Sequence, residues 1–133
     1  FWSATGNTET MANCIAEGAG ANGTLVPCGE MTPAKLAEFD VVAFGCPAMG
    51  AEQLEESEFE PMFAALEGSL NGKKIALFGS YGWGDGQWMR DWAQRAQDDG
   101  AQLFSEEGLI CNETPDDDVQ DACRKLGADL AAW

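Results

Sequence analysis

The sequence predicts an α/β fold, a parallel sheet covered by helices on both faces, and three observations carry that prediction. Short β-rich runs alternate with helical stretches along the whole chain. The runs are almost unbroken apolar segments, as strands buried on both faces must be. Most helical stretches open behind a threonine or proline and close near a glycine. At 133 residues, 45% hydrophobic and 10% aromatic, the chain has material for one domain over residues 1–133 and not for two.

Taken in order, the chain opens on Phe1–Trp2 and reaches its first loop at Ser3. Two residues are not a strand, and no initiator Met precedes them, so the first strand is expected to be truncated here, present only by its last positions. A genuine truncation would open a gap in the sheet and leave ladder groups unpaired. A helix follows from Thr8 to about Gly18, then a strand at Thr24–Pro27 and a helix at Pro33–Phe39 behind Thr32. Val41–Gly45 is the next strand, about Glu55–Leu66 the next helix, and Ile75–Gly79 the strand after that. Gly86–Asp99 is helical. Gln102–Phe104 with Leu109–Cys111 forms the last strand, interrupted by Ser105–Gly108, and a helix from about Asp116 to Ala132 ends the chain. No repeat, linker or change of composition divides it.

Charge and composition exclude several functions. Seven basic residues against 23 acidic ones give a formal charge of −16, which repels nucleic acid and anionic membranes and favours a basic partner. Residues 1–34 hold no Lys or Arg, and Glu52, Glu55, Glu56, Glu58 and Glu60 form an acidic block. No apolar run approaches the roughly 18 residues of a membrane helix, and no basic-then-apolar leader opens the chain, so the protein is expected to be soluble and cytoplasmic. The 5 cysteines, Cys14, Cys28, Cys46, Cys111 and Cys123, lack metal or disulfide spacing and read as reduced, buried thiols. There is no histidine, hence no usual general base or metal ligand. Gly68–Lys74 is one residue short of a P-loop and precedes a strand. Gly79, Gly82, Gly84 and Gly86 do not make a dinucleotide fingerprint, and Asp116–Asp118 lack the glycine and distal glutamate of a calcium loop.

Three loops carry the chemistry, and each is expected at the carboxyl edge of the sheet, where open α/β folds bind ligands. Ser3-Ala4-Thr5-Gly6-Asn7-Thr8 lies at a helix start, where N–H groups, the helix dipole and hydroxyls can hold a phosphate without lysine. Cys46-Pro47-Ala48-Met49-Gly50-Ala51-Glu52 follows a strand and folds tightly around an apolar Met. Ser80-Tyr81-Gly82-Trp83-Gly84-Asp85-Gly86-Gln87-Trp88 follows the next strand. Trp83, between two glycines, has little protein to pack against and suits a flat aromatic ligand. Trp88 and Trp92 have helical spacing and read as packing residues. Taken singly, the first loop could be an ordinary cap and the second an ordinary turn.

The order S-x-T-G-N-T, C-P-A-M-G-x-E, G-S-Y-G-W-G resembles the short-chain flavodoxins of anaerobic bacteria, over nearly the whole chain. The resemblance implies a three-layer flavodoxin-like fold with five parallel strands in the order 2-1-3-4-5 and flavin mononucleotide (FMN) between strands 1 and 3. It implies that Ser3, Ala4, Thr5, Gly6, Asn7 and Thr8 surround the phosphate, with Ser80 beside it and Trp2 flanking the loop. It places Met49 on one flavin face and Trp83 on the other, in loops completed by Pro47, Ala48, Tyr81, Gly82 and Gly84. Glu52 accepts from the flavin N3 edge, and the peptide at Gly50 turns its carbonyl toward N5. Ala51 departs from the pattern, standing where an acidic residue is common.

The function so implied is electron carriage rather than enzymatic turnover, chiefly through the semiquinone/hydroquinone couple, whose reduced form is a strong donor beside so many acids. A monomer docking transiently on basic redox proteins follows, with Glu55 and Glu58 as docking acids. The alternative within the same chemistry is an FMN-dependent quinone-type reductase, although no added substrate or nicotinamide domain is present. A receiver-type regulatory module would need clustered aspartates and a lysine at strand ends, where this chain has glycine, tryptophan and hydroxyls.

Overall fold

The computed structural model describes residues 1–133. Helices α1 (Asn7–Ala19), α2 (Pro33–Leu36), α3 (Phe59–Leu66), α4 (Gln87–Asp98) and α5 (Asp117–Ala132) alternate with strands β1 (Val41–Gly45), β2 (Lys74–Tyr81), β3 (Gln102–Leu103) and β4 (Leu109–Asn112). Every ladder is parallel. β2 is central, with β1 along one side, while β3 and β4 share the other side, one at each end of β2. Ser105–Gly108 separates these two pieces, as the polar interruption in the sequence foretold.

Alternation along β2 builds two cores. Ile75 and Leu77 face α3 and α4, in a cluster with Phe44, Phe59, Phe63, Trp88 and Trp92. Ala76 and Phe78 face α1 and α5, with Met11, Ile15, Cys123 and Leu130. Burying each large side chain contributes about 1.5–3 kcal/mol, and β2 supplies both layers at once. α1 and α5 approach closely because glycine stands at the crossing. A Cβ on Gly127 would lie 1.9 Å from the Ile15 carbonyl oxygen, and one on Gly18 would lie 1.9 Å from that of Arg124.

The helices follow the sequence signals with informative shifts. α4 places Trp88, Met89, Trp92, Ala93 and Ala96 on one buried face. α5 is capped by Asp116, which accepts from Val119 N–H at 2.9 Å, so the acids at its start are a cap and not a metal site. α2 is one turn, shorter than expected, behind the Thr32 cap. α3 begins at Phe59 and not near Glu55, because the Glu55 carboxylate takes the N–H groups of Ser57, Glu58 and Phe59 and closes a turn ahead of the helix.

The sheet has four laddered strands, not the five expected. Thr24–Pro27 and Phe1–Trp2 form no ladder, although three backbone bonds set their order. Phe1 N donates to Val26 O at 3.0 Å, Cys28 N to Phe1 O at 2.9 Å, and Trp2 N to Gly45 O at 3.0 Å. Pro27 has no N–H to extend the pairing. The spatial order is therefore 24–28, then 1–2, then β1, β2 and the β3/β4 side, which keeps the sense of 2-1-3-4-5. Between Leu25–Val26 and Val41–Phe44 lies an apolar groove of about 450 Å³, floored by Ile15 and Leu130.

Candidate cofactor site

At the carboxyl end of the sheet, the first loop is a set of unused donors. α1 starts behind Gly6, whose φ of +97° is left-handed and which supplies no side-chain cap. Glu9 N–H is taken by the Ser3 hydroxyl at 3.2 Å, whereas the N–H groups of Thr5, Gly6, Asn7 and Thr8 have no acceptor in the protein. Four free amides and a positive helix end are the donor set that a phosphate needs. Ala4 and Thr5 are exposed beside it. The Thr8 hydroxyl is otherwise engaged. It is buried 3.0 Å from the Ser80 hydroxyl and accepts from Ser80 N–H at 3.3 Å. Thr8 and Ser80 thus tie the first loop to the third. Trp2 flanks the loop and donates its indole N–H to Glu58 at 2.8 Å.

The second loop continues the pairing of β1 with β2 through Cys46 N to Phe78 O (3.1 Å) and Ala48 N to Ser80 O (3.0 Å), with Pro47 buried between. It then closes on itself, since Met49 and Gln53 exchange backbone bonds at 2.7 and 2.9 Å. Inside that turn Gly50 (φ +51°) and Glu52 (φ +54°) are both left-handed, and the Gly50 carbonyl accepts no backbone bond. No atom lies within 4 Å of where a Cβ on Gly50 would stand, so this peptide has room to turn.

The root of the loop is fixed by Glu55 and Cys46. Glu55 N–H donates to the Cys46 sulfur at 3.4 Å. Burial opposes the charge on Glu55, but the Ser57 hydroxyl and the amides of Phe59, Ser57 and Glu58 outweigh it and pull the carboxyl down to about 2. Burial pushes the Cys46 thiol up to about 12, so it is an inert packing group. All five cysteines are free and buried.

In the third loop Trp83 is 65% exposed, whereas Trp88 and Trp92 are 2% exposed. Gly82 and Gly84 flank Trp83, and Tyr81 packs at 5.5 Å on Trp88. Glu52 reaches across from the second loop, its Oε1 accepting Gln87 N–H at 3.1 Å. Its carboxyl lies over Gly84, where a Cβ would come within 2.5 Å of it.

The acidic block does not form one docking face. Glu55 is a buried cap, Glu60 pairs with Arg95 at 2.7 Å, and Glu58 is tied to Trp2. The expectation that Glu55 offers a docking charge is thereby corrected. The one cation beside the third loop, Arg90, is held by Asp85 at 3.0 Å.

Free amides in one loop and an exposed indole in another, which Glu52 ties to a Met-bearing turn, fit a phosphorylated flat ligand. The flavodoxin family profile matches residues 1–126. The chain belongs to the flavodoxin family. It is 47% identical to the flavodoxin of Megasphaera elsdenii over 130 residues, covering 96% of this chain and 92% of that one. It is 44% identical to that of Clostridium beijerinckii, over 98% and 96%. The solution structure of two-electron reduced M. elsdenii flavodoxin superposes with a TM-score of 0.84 at 42% identity, over 100% of this chain and 96% of that one. As a flavodoxin the chain is an FMN-binding electron-transfer protein that works with redox partner proteins, and not an enzyme. No helix is long and apolar enough to cross a membrane.

The roles of four contributors went unread in the sequence. Gln87 enters through its backbone N–H, which no motif reveals. Glu55 looked like one more surface acid. Asn112 and Glu113, at the end of β4, hold the Tyr81 carbonyl at 3.4 and 2.7 Å, and neither carries a signal of its own.

Proposed function

We propose that this flavodoxin binds FMN with its phosphate on the amides of residues 5–8 and its ring system between Met49 and Trp83, as one domain acting as a monomer. The observation that carries this reading is the 65% exposure of Trp83 in a glycine loop that Glu52 ties to the Met turn, on a chain that also leaves four amides unpaired at the start of α1. FMN, when bound, supplies two successive one-electron steps, and the chain tunes them. Ser3 and Thr5 complete the phosphate cradle while the Thr8–Ser80 pair keeps it rigid. Met49 and Trp83 exclude water from the ring faces, and the Gly50 peptide is free to offer its carbonyl to a protonated ring nitrogen. Glu52, Glu56, Glu58 and Asp85 surround the crevice with negative charge, which opposes a second added electron and makes the more reducing of the two couples the working one.

The same acids, Glu56 foremost, steer a basic redox protein into a short-lived encounter in the cytoplasm, with rates that fall as salt rises. Nothing in the chain provides for nicotinamide or a quinone substrate. Stepwise anaerobic reduction followed by visible absorption tests the assignment. A yellow protein that turns blue before bleaching supports it, and a protein that takes up no added FMN overturns it.

A further inference from the structure

We infer that Arg90 is a positioning residue for the cofactor, strapping Asp85 to the first turn of α4 so that the third loop swings only at Gly82–Gly84 and presents Trp83 from a fixed base. The effect on the cofactor rests on the FMN assignment above, whereas the strap itself does not. One guanidinium holds both the main chain and the side chain of Asp85. Nη1 donates to the Asp85 carbonyl at 3.1 Å, which accepts no backbone bond, and Nη2 donates to the Asp85 carboxylate at 3.0 Å. Nη2 also donates to Gln87 Oε1 at 2.8 Å, and Gln87 Nε2 in turn donates to Asp91 Oδ1 at 2.7 Å, so the helix surface braces the strap from below. On either side of Asp85 stands a left-handed glycine, Gly84 at φ +87° and Gly86 at φ +94°.

An exposed ion pair contributes little by itself, and the Arg90 and Asp85 side chains are 47% and 77% exposed. Three features set this pair apart. The contact is forked and includes a carbonyl, so it fixes backbone as well as side chain. Arg90 lies in the first turn of α4, where the helix dipole disfavours a cation, so helix stability does not account for its position. The strap also spans two glycines, which have the most backbone freedom to lose, one of them next to an indole that is 65% exposed and has little else to hold it. Without the strap that freedom would be lost at the binding step instead, as a smaller population of the competent loop.

Two measurements separate the strap from its effect. Backbone amide relaxation in FMN-free protein, read by NMR, reports the strap alone. Order parameters at Asp85 and Gly86 are expected near the rigid value of about 0.85 in the native chain and below about 0.6 in Arg90→Ala. Fluorescence titration with FMN reports the effect. Arg90→Ala is expected to bind about 5- to 30-fold more weakly than the native chain. Arg90→Lys keeps the charge and loses the fork, and is expected to remain about 3- to 10-fold weaker than native with the same two amides mobile. Native-like order parameters in Arg90→Ala overturn the strap. Native-like FMN affinity in Arg90→Ala overturns the positioning role, and native-like affinity in Arg90→Lys overturns it as well by assigning the effect to charge. A native chain that takes up no FMN sinks the functional assignment and leaves the order parameters to decide the strap.

Discussion

The Ser3–Thr8 loop and the paired loops at Met49–Gln53 and Gly82–Gly86 lie along the same edge of the sheet, yet they are held in different ways. The first is welded to the core, with Thr8 1% exposed and hydrogen-bonded to Ser80. The others are exposed turns with left-handed residues at Gly50, Glu52, Gly84 and Gly86, anchored at their roots by Glu55 and to each other by Glu52. On the FMN placement proposed above, the difference follows from the cargo. A phosphate keeps one charge and is best met by fixed dipoles. A ring system that gains electrons and a proton needs neighbours that can turn.

The largest expected effect comes from breaking the root of the exposed pair. The Glu55 carboxyl titrates at about 2 in the folded chain against an ordinary 4.5, so it stabilises the fold above pH 4.5, and that stability is lost as pH falls toward 2. Glu55→Gln should therefore be less stable at pH 7 by on the order of 3 kcal/mol. The gap to the native chain should narrow steadily between pH 4.5 and 2 in denaturant melts, and a pH-independent difference would assign Glu55 a packing role instead.

Loosening the welded loop should have the next largest effect. Thr8→Val removes a buried hydroxyl and strands Ser80 N–H, at a cost of about 1–3 kcal/mol in urea unfolding of FMN-free protein. FMN affinity should fall in parallel, whereas unchanged stability would show that the loop is held by something else.

Trp83→Ala sharpens the contrast from the other side. An indole with so little contact to the protein should leave FMN-free stability within about 0.5 kcal/mol of native. FMN should bind about tenfold more weakly through lost stacking, as read by fluorescence titration.

The smallest effect belongs to the rim. Glu56→Lys should slow electron delivery to a basic partner several-fold at low salt in stopped-flow traces, and the difference should vanish near 1 M, where the Debye length is about 3 Å. A Glu55→Lys change cannot serve this purpose, because it would place a cation in the core.

Periodicity and punctuation made most of the fold legible. β1, β2, α1, α4 and α5 lie within a residue or two of their expected bounds, because each is long and its apolar pattern is repeated. The elements that moved were those with few residues to average over. Phe1–Trp2 is joined to the 24–28 segment by only two backbone bonds and to β1 by one, and α3 lost its first turn to one carboxylate. Among the candidate site residues, the hydroxyls, Met49 and Trp83 stood out because their side chains are unusual for their surroundings. Gln87 could not, since its contribution is a backbone proton that every residue but proline possesses.

By itself the sequence determined the layered α/β architecture, the three loops and the acidic character, because these depend on side-chain type and spacing along the chain. Tertiary structure alone decided which glutamate is a buried cap, which is a tie to Trp2 and which spans two loops. Five acids within nine positions are chemically alike until folding gives each different neighbours, and hydrogen bonding and burial then set their charge, reach and task.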